Sequence, residues 1–126
     1  MGCTYTIHIG KIPVIEEIVV VPPNKIYKEI DSDIALRQPH IEIGECSFLK
    51  AGLYNDLSYV PEPIRELKKI IPSYHLTSKK ITENLIEKIA SIEWKNTTQY
   101  EMYITKEELI EFLRRYIGEE CYSICW

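Results

Sequence analysis

Over the first ten residues apolar and polar side chains alternate. Cys3, Tyr5, Ile7 and Ile9 fall on one side and Thr4, Thr6 and His8 on the other, before Gly10 breaks the run. Period two predicts a half-buried strand with its polar side turned to solvent. After Pro13, residues 14–21 form a β-branched apolar stretch interrupted only by Glu16 and Glu17, the pattern of a strand covered on both faces. Pro22-Pro23-Asn24 ends it, and residues 25–30 alternate loosely through Ile26, Lys28 and Ile30, which predicts a partner strand pairing back across that turn. Asp31-Ser32-Asp33 reads as a further turn, and residues 34–37 fit neither period. Ile41 and Ile43 then point one way while His40, Glu42 and Gly44 point the other, predicting a fourth strand. Residues 46–59 carry few signals: a short strand over 47–50, then a loop around Gly52 and Asn55-Asp56.

In the second half the period changes. Pro61 and Pro63 suit a first helical turn, Ile64, Leu67, Ile70 and Ile71 make one face, and Pro72 stops it, so a helix is expected over 62–71. Ser78 is a candidate cap for a longer helix whose apolar positions Ile81, Leu85, Ile86, Ile89 and Ile92 recur at three and four. Beyond the polar stretch 95–99, residues 100–104 read as a short strand. Thr105 and Glu108 then form a capping box that opens a helix over 106–117, with Gly118 placed to end it and a short strand or turn over 121–126. Strands followed by helices define an α+β domain. The expected architecture is an antiparallel sheet from the N-terminal half, with two to three helices from the C-terminal half packed on one face. A chain of 126 residues without a linker or low-complexity tract is expected to form one domain over 1–126.

Composition narrows the classes. With 45% hydrophobic and 27% charged residues the chain has the balance of a folded globular domain. Nineteen acids against fifteen bases give a net charge of −4, which disfavours nucleic acid as a partner. The longest apolar run, residues 18–21, is far below the roughly 18 residues needed to cross a bilayer, so no membrane association is expected. The first ten residues lack the charged-then-apolar pattern of a secretory leader, and a cytoplasmic address follows as the expectation. There the cysteines at 3, 46, 121 and 125 would stay reduced, as small hydrophobes. Met1-Gly2-Cys3-Thr4-Tyr5-Thr6 formally satisfies the myristoylation pattern, although the strand beginning at Cys3 competes with an anchor for the same residues. The 21 isoleucines against four arginines and three alanines are typical of AT-rich coding sequence and suggest a bacterial or phage origin.

Candidate chemistry is sparse. Five scattered glycines form no phosphate-binding loop, the cysteine spacing matches no zinc finger, and no cofactor or metal is expected. If the first and fourth strands share a sheet with their polar sides aligned, His8, His40 and Glu42 meet on one surface, a conceivable acid–base or metal cluster. Histidines on solvent faces are also common without such a role. His75-Leu76-Thr77 resembles the histidine-x-hydroxyl element that two-histidine phosphoesterases use twice, but here it occurs once. Arg114, Arg115 and Tyr116 stand together on the best-defined helix, where the guanidinium groups could hold a carboxylate or phosphate, or simply pair with Glu111, Glu119 or Glu120. Nine tyrosines against two phenylalanines favour surfaces where a ring is buried and its hydroxyl satisfied, which adds Tyr100, Tyr103 and Trp126 as contact candidates.

These features lead to a small non-enzymatic binding protein, of the inhibitor, immunity or viral counter-defence type. It would dock a protein partner or sequester a small anionic ligand through Arg114, Arg115, Tyr116, Trp126, Tyr100 and Tyr103, and is expected as a homo-oligomer. The competing expectation is a small hydrolase or phosphoesterase using His8, His40, Glu42 or His75.

Overall fold

β1 (Cys3–Ile9) is flanked on one side by β4 (His40–Cys46) and on the other by β6 (Glu120–Cys125), both antiparallel. A two-residue strand, β5 (Lys79–Lys80), completes a four-stranded sheet of order β4-β1-β6-β5. The computed structural model describes residues 3–20, 25–46, 62–72, 78–94 and 102–125. The turn at 22–24, the expected strand at 47–50 and its following loop, Gly2, His75, Tyr100 and Trp126 lie outside the described residues.

The alternation in β1 sorts the two faces. Tyr5, Ile7 and Ile9 join Ile43 and Cys121 from the neighbouring strands on the side covered by α2 (Glu62–Ile70), α3 (Glu83–Ala90) and α4 (Lys106–Arg114). Those helices bury Ile64 and Leu67, Leu85, Ile86 and Ile89, and Leu109 and Leu113 against the sheet. This is the expected α+β layout, with the helices of the second half on one face. The end of α2 is fixed by hydroxyls from the sheet, because Tyr5 and Ser123 both donate to the Ile71 carbonyl, at 3.0 and 2.9 Å. Lys106, at the start of α4, donates to the Ala90 and Ile92 carbonyls at the end of α3, at 2.8 and 2.9 Å.

Helix starts follow cap chemistry. Thr105 accepts from the Glu108 N–H at 3.2 Å, the first half of the expected capping box, while the Glu108 carboxylate accepts from the Thr105 hydroxyl at 3.3 Å in place of its backbone N–H. α3 begins later than Ser78 would place it. The Ile81 N–H donates to the Glu119 carbonyl at 2.8 Å, which keeps residues 79–81 extended beside β6, and Thr82 becomes the cap, accepting from the Leu85 N–H at 3.1 Å. α4 ends at Arg114 in a tight turn, and Gly118, at φ 95°, takes the left-handed conformation that redirects the chain into β6. β6 is thus an interior strand. From the expected strand over 100–104 the described part is a single bridge, Met102 against Gly44, on the outer edge of β4.

The opposite face carries an element without a sequence signal. β2 (Val14–Val20) and β3 (Lys25–Ile30) pair as the expected antiparallel hairpin, but form a two-stranded sheet of their own. A six-residue helix, α1 (Ser32–Arg37), follows, with Asp31 as cap accepting from the Asp33 and Ile34 N–H groups at 3.1 and 3.2 Å. Ala35 of α1 packs with Tyr122 and Ile124 of β6, and Ile12 and Ile30 close around them. Thr6 and His8, on the nominally polar side of β1, are therefore buried, at 2% and 0% exposure.

The core of α4 and the exposed turn that follows it should respond very differently. Leu113→Ala is expected to cost about 2–5 kcal/mol in chemical denaturation, whereas Ile117→Ala, at an exposed position, should stay within about 0.5 kcal/mol of wild type.

Candidate functional site

The register of three adjacent strands assembles the most distinctive group of side chains. His8 lies opposite His40 across the β1–β4 pairing and opposite Tyr122 across the β1–β6 pairing. The three rings stack across the sheet: His8 and His40 have centroids 5.0 Å apart at 19°, and His8 and Tyr122 are 5.2 Å apart at 14°. Glu42 is the cross-strand partner of Thr6. The pairing of His8 with His40 anticipated from alternation is therefore present, Glu42 is placed only by its register opposite Thr6, and α1 meets the His8 ring through the Ala35 carbonyl.

Both nitrogens of His8 are engaged. Nδ1 lies 2.8 Å from the Ala35 carbonyl, which can only accept, so the proton sits on Nδ1. Nε2 then accepts from the Thr6 hydroxyl at 2.9 Å, and the same hydroxyl lies 3.3 Å from the Ile124 carbonyl. His40 donates from Nδ1 to the Gln38 carbonyl at 2.9 Å. Gln38, the cap residue of α1, accepts from the Tyr122 hydroxyl at Oε1 and donates from Nε2 to the Lys11 carbonyl at 2.8 Å. Its amide would meet a Cβ on Gly10 at 2.9 Å, and Gly10 has φ 125°, so a side chain there would be both strained and crowded. Among the described residues no buried side-chain polar atom lacks a partner.

Burial lowers the pKa of His8 from the usual 6.5 to about 4; the Ala35 carbonyl opposes this and the neighbouring His40 adds to it. Burial pushes the Tyr122 phenol up to about 12. At neutral pH the centre of the stack is a neutral imidazole enclosed by protein groups, poised to hold α1 rather than to exchange protons with a bound molecule. Among the described residues no three His, Cys, Asp or Glu side chains are placed to hold a metal ion.

Of the candidate contact residues, the described ones, Arg114, Arg115, Tyr116 and Tyr103, are not gathered here. Arg114 reaches across to α3 and pairs with both oxygens of Glu83, at 2.8 and 3.1 Å, while Arg115 pairs with Glu111 one turn back, at 3.3 Å. Tyr116 packs edge-on against Phe112, with centroids 5.4 Å apart, over the main core. Tyr103 is exposed beside β4. Its phenol is raised by burial and by the charge and hydrogen bond of Glu45, with a hydrogen bond to Thr4 acting the other way. An open groove of about 360 Å³ runs between α2 and α3, lined by Glu62, Glu66, Lys69, Lys88, Ile92 and Glu93.

A second feature escaped the sequence reading. Six large apolar residues stand exposed among the described ones, and four of them, Val14, Ile15, Ile34 and Leu36, belong to β2 and to α1, the helix packed on the second face. Val14 pairs with Ile30 and the Asp31 N–H donates to the Pro13 carbonyl at 2.7 Å, which joins the base of the hairpin to the start of α1. Ile34 and Leu36 flank the buried Ala35. No protein family, curated protein or solved structure matches this chain.

Protonation of His8 is disfavoured in the fold, so the unfolded chain takes up that proton first. Its contribution to stability is complete above about pH 6.5 and is lost as pH falls through about 4. Imidazole resonances followed by NMR should show one histidine titrating near pH 4, and His8→Gln should flatten the slope of unfolding free energy across this window; a midpoint near 6.5 would contradict the assignment.

Proposed function

We propose that this protein is a non-enzymatic binding module of the inhibitor, immunity or counter-defence type, which docks a partner protein through α1 and the base of the β2–β3 hairpin. The observation carrying this reading is that four of the six exposed large apolar residues among the described ones, Val14, Ile15, Ile34 and Leu36, belong to α1 and the start of β2. Exposed apolar side chains grouped on one surface element favour association, where singly scattered ones do not. The described border is mixed but mainly acidic: Asp31 and Asp33 sit at the start of α1, and Arg37 stands at its far end. The complementary partner presents an apolar centre within a basic rim. A second copy would set like-charged borders against each other, which weighs against the homo-oligomer expected from composition.

Sequestration of an anion by Arg114 and Arg115 has less support, because a ligand would have to displace the Glu83 and Glu111 carboxylates. The hydrolase reading draws on the stack of His8 and His40 beside the Glu42 position. Against it, the His8 nitrogens are spent on Ala35 and Thr6.

The test compares two double variants in affinity purification from native cells, followed by titration with the purified partner. Ile15→Glu with Leu36→Glu should weaken binding by about 10-fold or more without lowering Tm greatly, since both side chains are exposed; Arg114→Ala with Arg115→Ala should stay within about threefold. The reverse order would move the contact to α4. Self-association abolished by the first pair, with no foreign partner, would replace the proposal with a homo-oligomer.

A further inference from the structure

Two of the four cysteines are cross-strand partners. In the β1–β4 register Cys3 stands directly opposite Cys46, at the end of the sheet away from the His8–His40 pair. Directly opposed residues of an antiparallel pair have Cα atoms about 4.5–5.5 Å apart, and a disulfide spans Cα separations of about 4.4–6.8 Å, so the register meets the backbone requirement without rearrangement.

We propose that Cys3 and Cys46 are a redox modification site, closing to a cross-strand disulfide under oxidising conditions. The oxidant is a small-molecule disulfide such as oxidised glutathione. One cysteine thiolate attacks it and expels a glutathione thiolate, leaving a mixed disulfide; the thiolate of the other cysteine attacks the protein-bound sulfur and expels the second. Two protein thiols become one disulfide, one oxidised glutathione becomes two reduced glutathiones, and the two thiol protons end on the released thiolates.

The other two cysteines are placed differently. Cys121 lies opposite Ile9 at the far end of β1; it is fully buried, and burial pushes its thiol up to about 12, so it is a poor nucleophile. Cys125 lies opposite Tyr5, on the row next along from Cys3, with Lys68 Nζ 4.0 Å from its sulfur. It is the diagonal competitor, at a separation of about 7–8 Å that suits a disulfide less well.

The segment closed by a Cys3–Cys46 bond, residues 3–46, contains the whole β2–β3 hairpin and α1. Oxidation would tie β1 to β4 at the two ends of that segment, closing it into a loop and lessening the freedom of its unfolded state. The inference rests on the strand register and stands whether or not that cover docks a partner.

The experiment incubates the native full-length chain in glutathione buffers from fully reduced to oxidised and maps disulfides by mass spectrometry of non-reduced peptides. The expected result is a 3–46 linkage and a Tm raised by about 5–15 °C in the oxidised form. Cys3→Ser and Cys46→Ser should each abolish the linkage and the shift, while Cys125→Ser should not. Reduced Cys3→Ser and Cys46→Ser should melt close to the reduced wild type, which separates loss of the bond from loss of the fold. Four unlinked thiols or glutathione adducts that never close would overturn the proposal. A 3–125 bond, or a 3–46 bond formed only in denaturant, would do so equally.

Discussion

The hydrogen bond from His8 Nδ1 to the Ala35 carbonyl is the point on which the second face turns. A helix of six residues has few internal hydrogen bonds and is not stable by itself. α1 persists because its cap at Asp31, its carbonyl at Ala35 and its exit at Gln38 are each met by another group, and because Ala35 is small enough to lie against Tyr122. The contacts at Ala35 and Gln38 depend on β1 standing beside β6 in the observed register. A shift of one residue would turn His8 into the helical core and Ile7 out of it.

The two faces of the sheet are therefore stabilised by different means. Toward α2, α3 and α4 the contact is apolar and extensive, with hydroxyls used only to satisfy the Ile71 carbonyl at a helix end. Toward α1 the apolar cluster is small, and much of the interface is a polar network in which every described buried side-chain group has a partner. Such networks fix geometry more than they add stability, since burial of the groups offsets much of the gain. The functional proposal follows from this division. The ring stack orders α1, and the outer surfaces of α1 and β2 carry the apolar side chains left for a partner.

The main fold was legible in the chain because its signals were long. Alternation through Tyr5, Ile7 and Ile9 identified the core side of β1, and the Thr105–Glu108 box marked the start of α4. Alternation also brought His8 and His40 onto one side of the sheet, though not their stacking. It could not report that His8 would be buried, since six residues are too few to show a helical period and Asp31-Ser32-Asp33 serves equally as a turn or a helix start. Ser78 and Thr82 offered two caps for one helix, and the strand pairing of Lys79 and Lys80 chose between them. The apolar surface on α1 was hidden for the same reason as α1 itself, and that on β2 because its β-branched run reads as a strand covered on both faces, whereas Val14 and Ile15 are exposed.

His8 is a structural anchor for α1, and native-state hydrogen exchange on His8→Leu reads out that role. The Ala35 and Gln38 amides, which donate to Asp31 and to the Ile34 and Ala35 carbonyls, should lose protection, while the Ile71 and Leu109 amides on the opposite face should keep theirs. Unchanged protection in α1, or an equal loss on both faces, would contradict it.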